Sequence, residues 1–142
     1  MGDITITSDD VALTYTDAAH ARTHNVFVSE AVSRGELLYQ KADGDFALAD
    51  ANVAGAHRVR AIALEDGKAN STISVVTFGV LSGYGLSGMD YDDPVYLSDT
   101  AGSPSDVSGS TQVVVGIVWN VPTATSGHKR VLLFDPNTVA LD

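Results

Sequence analysis

The chain has 142 residues, no cysteine and a formal net charge of −10, with Asp supplying 15 of its 18 acidic residues. That length favours one domain with a real core, and the missing thiols exclude disulfides, thiolate metal sites and Cys–His catalysis. An acidic surface repels phosphate backbones and anionic bilayers, so neither nucleic acid nor membrane is an expected partner. The charge is read either as solubility or, more sharply, as adaptation to salt or to packing among many copies.

No stretch approaches the roughly 18 to 20 apolar residues of a membrane span. The start, Met1-Gly2-Asp3-Ile4-Thr5, has neither the basic region nor the apolar core of a signal peptide. Ile6 stands where a myristoylation signal wants Ser or Thr.

In chain order, Ile4-Thr5-Ile6-Thr7 alternates as a half-buried strand does. It belongs to an extended N-terminal segment, residues 1–25. Asp9-Asp10 interrupts it, residues 11–15 alternate again, and residues 17–24 read as a loop or short helical turn. Val26-Phe27-Val28 opens a single β domain, residues 26–142. Ser33-Arg34-Gly35-Glu36 is a turn before the strand at residues 37–40. Asp43-Gly44-Asp45 is another turn. The Ala-rich residues 47–56 are the one expected short helix. Strands follow at 57–64 and 72–81, joined around Asp66-Gly67 by a connection longer than two residues. Residues 82–93 form a joint. Val95-Tyr96-Leu97 is a short strand after Pro94. Residues 99–110, rich in Ser, Gly, Asp and Pro, are expected to be an exposed loop. The run Val113-Val114-Val115-Gly116-Ile117-Val118-Trp119 does not alternate, which predicts burial on both faces and places Trp119 in the core. A last strand covers 129–134. The fold class is all-β, a compact barrel or sandwich.

The strands come in two sets. Gly35-Glu36-Leu37-Leu38-Tyr39-Gln40 is echoed by Asp92-Asp93-Pro94-Val95-Tyr96-Leu97. Val59-Arg60-Ala61-Ile62-Ala63-Leu64 is echoed by Val114-Val115-Gly116-Ile117-Val118-Trp119. Ser74-Val75-Val76-Thr77-Phe78 is echoed by Arg130-Val131-Leu132-Leu133-Phe134. The offsets are 57, 55 and 56 residues, which predicts two similar strand units, about 35–80 and 92–135. The identities between them are Tyr39/Tyr96, Val59/Val114, Ile62/Ile117 and Phe78/Phe134.

Motifs with chemical meaning lack the context they need. Gly83-Tyr84-Gly85-Leu86-Ser87-Gly88 matches G-x-G-x-x-G, but the residues after it cannot start the helix that would hold a pyrophosphate. It reads as a glycine-rich connector. His20 and His24 have the spacing of ligands on one helical face without the zincin glutamate, and read as surface histidines. Only His57 and His128 remain as further imidazoles. Asp43/Asp45 and Asp90/Asp92/Asp93 do not follow the calcium-loop pattern and read as solvated turns. There is no G-x-S-x-G elbow. Asn70-Ser71-Thr72 matches a glycosylation acceptor and reads as an ordinary turn. Tyr39 and Tyr96 read as matched scaffold aromatics. No catalytic, cofactor or metal residue is expected, and no enzyme.

The stretch from Gly35 to Trp119 resembles the capsid cement, or head decoration, proteins of tailed bacteriophages. It shares with them Gly35-Glu36-Leu37-Leu38-Tyr39, the Ala-rich stretch, the strand from Val59, Val75-Val76-Thr77-Phe78-Gly79-Val80, the closing run Val113-Val114-Val115-Gly116-Ile117-Val118, and above all Pro94-Val95-Tyr96-Leu97-Ser98-Asp99-Thr100-Ala101-Gly102. The resemblance implies a small β-rich structural protein of the virion. Such a protein binds the outer surface of an assembled head, as a homotrimer, and bridges major capsid protein subunits. The alternative is a virion-surface adhesion or carbohydrate-binding module. Alternation and terminal position make Asp3, Ile4, Thr5, Ile6 and Thr7 the candidate capsid-contact residues, through strand addition to a neighbour's sheet edge.

Overall fold

The computed structural model describes residues 2–17, 19–123 and 127–136. Met1 and the last six residues of the expected β domain lie outside them. The chain is nearly all β. Its strands are β1 (Ala12–Leu13), β2 (Arg22–Val28), β3 (Leu37–Gln40), β4 (Phe46–Leu48), β5 (Val59–Ala63), β6 (Ser71–Ser82), β7 (Pro94–Leu97), β8 (Pro104–Ser105), β9 (Val114–Thr123) and β10 (Gly127–Phe134). A 3-10 turn covers Ser8–Asp10.

The hydrogen-bonded order is β2-β4-β3-β5-β6-β10-β9-β7-β8, and β2 also pairs β6. That extra pairing closes β2, β4, β3, β5 and β6 into a five-stranded barrel. The seam is the parallel contact of Val28 with Phe46. β6 belongs to both halves. Its first part, from Ser71 to Phe78, pairs β2, and Gly79 to Leu81 pairs β10.

The two-unit echo is realised in the pairing. The first unit runs β4-β3-β5-β6 and the second β8-β7-β9-β10, each strand antiparallel to its neighbour. The irregularities coincide as well. Leu38 pairs Ala61 and Tyr39 pairs Val59, leaving Arg60 as the extra residue of a β-bulge. Val95 pairs Gly116 and Tyr96 pairs Val114, leaving Val115 in the same role. A bulge bends its strand and re-aims one side chain, so the units share this fine detail. The third echo sits one residue off by ladder partner: Ile62 faces Val76, whereas Ile117 faces Leu133.

Two cores result. Val28, Val32, Leu38, Phe46, Ala61, Ala63, Ile73 and Val75 fill the barrel, and the alanines suit a ring this narrow. The larger core lies between the units. Leu37, Ile62 and Val76 project into it from the outside of the barrel, and Val95, Leu97, Val115, Val118, Leu132 and Phe134 meet them from the second unit. The first unit is thus buried on both faces, whereas the second leaves Trp119 exposed on its outer face.

Three expectations are corrected. Residues 47–56 form no helix. Phe46–Leu48 is β4, and Asp50 then accepts the Asn52 N–H on its carboxylate at 2.8 Å while Gly55 takes φ +85°, both turn devices. Ala49 and Ala51 are buried, so their small size serves packing rather than helix propensity. Residues 99–110 are not simply exposed, because Gly102, Pro104 and Ser105 are buried and β8 pairs β7. The run at 113–118 is buried on one face only. Val114 and Ile117 are half-buried, and Trp119 is 42% exposed. The strand covered on both faces is β5, where only Arg60 is not buried.

Candidate functional site

The N-terminal segment is extended, and it is docked on its own chain. Ile4 N–H donates to the Pro104 carbonyl at 2.9 Å, Gly85 N–H to Thr5 at 2.9 Å, and Thr7 N–H to Gly83 at 2.8 Å. The Ser98 hydroxyl donates to the Asp3 carboxylate. Ile4 is buried in the inter-unit core, and Ile6 packs against it. The alternation that pointed to strand addition is thus used internally. Of the five candidates, Asp3, Thr5 and Thr7 remain exposed.

The connector at Gly83 to Gly88 completes this docking. Gly83 has φ +99°, and a Cβ there would lie 2.6 Å from the Val11 nitrogen. The buried Tyr84 hydroxyl donates to the Gly35 carbonyl at 2.7 Å, and burial pushes its pKa well above the usual phenol range. Gly83 therefore serves close backbone approach, whereas a Cβ at Gly88 would meet nothing within 4 Å. The other motifs are local. His20 Nδ1 lies 2.7 Å from the Asp17 carboxylate, which is held below its usual pKa chiefly by that hydrogen bond. His24 is exposed on β2. Asp45 N–H donates to Asp43, and Asp90 N–H to Asp93. Asn70 takes φ +66° before β6. Among the described residues no three His, Asp or Glu are placed to hold a metal ion. The side chain of His128 lies outside the description.

Two surfaces stand out. The first is the outer face of the second unit. With Val95, Val118 and Leu132 turned into the core, strand alternation turns out Pro94 and Tyr96 on β7, Val114, Ile117, Trp119 and Val121 on β9, and Lys129, Val131 and Leu133 on β10. None of these is a carboxylate, on a chain with 18 of them. Exposure grows across the face: Val131 is buried, Ile117, Val121 and Leu133 are half-buried, and Trp119 is exposed. On the opposite side of β10 the Arg130 guanidinium lies 4.6 Å above the Tyr91 ring, and its Nε donates to the Met89 carbonyl at 2.8 Å.

The second surface is a cavity of about 360 Å³ lined by Tyr39, Gln40, Gly55, His57, Arg58 and Arg60. The β3–β5 bulge builds it, placing Arg60 beside Tyr39. Motif reading of the sequence missed this set. Its signal lay in a departure from the echo: Val59 is flanked by Arg58 and Arg60, whereas Val114 is flanked by Val113 and Val115.

No protein-family model, curated protein or solved structure matches the chain. No helix among the described residues is long and apolar enough to cross a membrane.

Proposed function

We propose that this is a non-enzymatic structural protein of a tailed-phage virion, which binds the outside of the assembled head and stabilises it by bridging major capsid protein subunits. The observation that carries this reading is the apolar, carboxylate-free outer face of β7, β9 and β10 on an otherwise strongly acidic chain. A partly exposed apolar face that carries an exposed tryptophan is what protein–protein contacts use. Each contact need not be strong, because many copies on one closed shell act at high effective concentration. A homotrimer would present several such faces together. The exposed Asp3, Thr5 and Thr7 would add polar contacts at the rim.

The test is co-sedimentation of the purified protein with heads that lack it. Saturable binding, a higher temperature of head disruption, and loss of both in Trp119→Asp are expected. A protein that sediments as a stable monomer and ignores such heads ends the reading. A second reading, carbohydrate binding, is favoured by the exposed Trp119 and the 38% exposed Tyr91, since exposed rings stack on sugars. A glycan array without hits removes it.

A further inference from the structure

We propose that the cavity walled by Tyr39, Gln40, His57, Arg58 and Arg60 is a binding site for a single carboxylate carried by a partner polypeptide. It goes beyond the virion reading and does not depend on it.

The first support is the chemistry of the lining. The chain has 8 Lys and Arg against 18 Asp and Glu, yet two arginines and a histidine converge on one cavity. Among the described residues no carboxylate lines it, and none lies within ion-pair distance of Arg58. A guanidinium offers a planar fork of donors matched to an oxyanion. Gln40 adds an amide, and Tyr39 an aromatic wall with a hydroxyl.

The second support is the internal repeat, which acts as a built-in control. Residues that the scaffold needs recur in both units: Tyr39 and Tyr96 on the inner strand, Val59 and Val114 opposite them. The two arginines and the histidine do not recur. By the same offset, His57, Arg58 and Arg60 correspond to Gln112, Val113 and Val115. The bulge residue is Val115 in the second unit, buried in the core, and Arg60 in the first, half-buried on the cavity wall. One backbone device thus turns an apolar side chain inward in one place and a cation toward a cavity in the other. The second unit makes the same pairing with Val113 and Val115 in those places.

The third support is the field of the whole molecule. A net charge of −10 opposes the approach of a polyanion. A lone carboxylate on a protruding Asp or Glu enters the cavity with far less opposition. The cavity, at about 360 Å³, has room for such a side chain together with its flanking backbone, and the Tyr39 ring forms part of its wall.

The experiment is an NMR titration of the purified full-length protein at constant ionic strength, following the Gln40, Gly55 and His57 amides and the arginine Nε–H groups. The probes are acetate, a blocked pentapeptide with one central Glu, and inorganic phosphate. Saturable shifts confined to the cavity with acetate and the peptide are expected, with the peptide tighter. Resonances of Tyr96, Gln112 and Val113 should stay still. Arg58→Gln, an exposed position whose spectrum also reports folding, should weaken the peptide by about tenfold or more, as loss of a charged hydrogen bond does. Shifts that grow linearly and spread over the surface would overturn the proposal. So would saturation by phosphate alone, or peptide binding unchanged in Arg58→Gln.

Discussion

The first and second units share strand order, hydrogen-bond register at the inner strands and the position of a bulge, yet their burial differs. In the first, Leu37 and its neighbour Leu38 are both fully buried, one in the inter-unit core and the other inside the barrel. In the second, Pro94 is half-buried where Val95 is buried. β2 accounts for the difference: by pairing β6 and touching β4 it closes the first unit on itself, and among the described residues no strand does this for the second. The same strand motif therefore gives a closed barrel in one setting and an open sheet with an apolar outer face in the other.

The largest expected break is Gly116→Ala. A Cβ there would lie 2.1 Å from the Leu133 carbonyl oxygen, a backbone atom of the paired strand. Destabilisation of about 3 kcal/mol or more is expected in denaturant unfolding. The matched change Ala61→Gly should cost about 1 to 2 kcal/mol, through lost burial and added chain entropy. Equal costs would mean that the units are not built alike at the bulge.

Next come the paired leucines. Leu37→Ala and Leu38→Ala should each cost about 2 to 5 kcal/mol, because both leave cavities. Pro94→Ala, at the place matching Leu37, should cost under about 1 kcal/mol. A mild Leu37→Ala would contradict burial on both faces.

Tyr84→Phe tests the tie between connector and first unit. It deletes the donor to the buried Gly35 carbonyl, with an expected cost of about 1 to 3 kcal/mol. An unchanged melting temperature would show that the Gly35 carbonyl finds another donor.

The smallest effect concerns Glu36. Desolvation, with lesser repulsion from Glu30 and Asp66, raises its pKa, although the Ser33 N–H bond opposes this. A raised folded-state pKa contributes stability that is present below the unfolded pKa and is lost as pH rises through the folded value. Glu36→Gln keeps an acceptor for Ser33 and removes the charge. It should match or slightly exceed the parent's melting temperature at pH 7, with no gain well below the carboxylate range. A variant less stable than the parent at pH 7 would contradict this.

The strands were legible because β-branched runs and Gly/Asp turns are local signals. So was the twofold pattern, since Tyr39/Tyr96 and Val59/Val114 sit at the same bulge. Arg58 and Arg60 were visible as breaks in the echo, but their convergence with Tyr39 was not, because it depends on a register shift between strands about 20 residues apart in sequence. The Ala-rich stretch misled for a related reason: alanine is at once a good helix former and the residue that fits beneath a tight core, and only the neighbours decide which property matters.

By itself the sequence determined an all-β chain of two related strand sets, an acidic surface and a glycine-rich connector, because these rest on short-range sterics and on charge count. Tertiary structure alone decided which sheet faces are covered. The run at 113–118 looked buried on both sides, and Trp119 looked internal. What covers a sheet's second face, however, is another part of the chain, and no periodicity within the strand records whether that part is there.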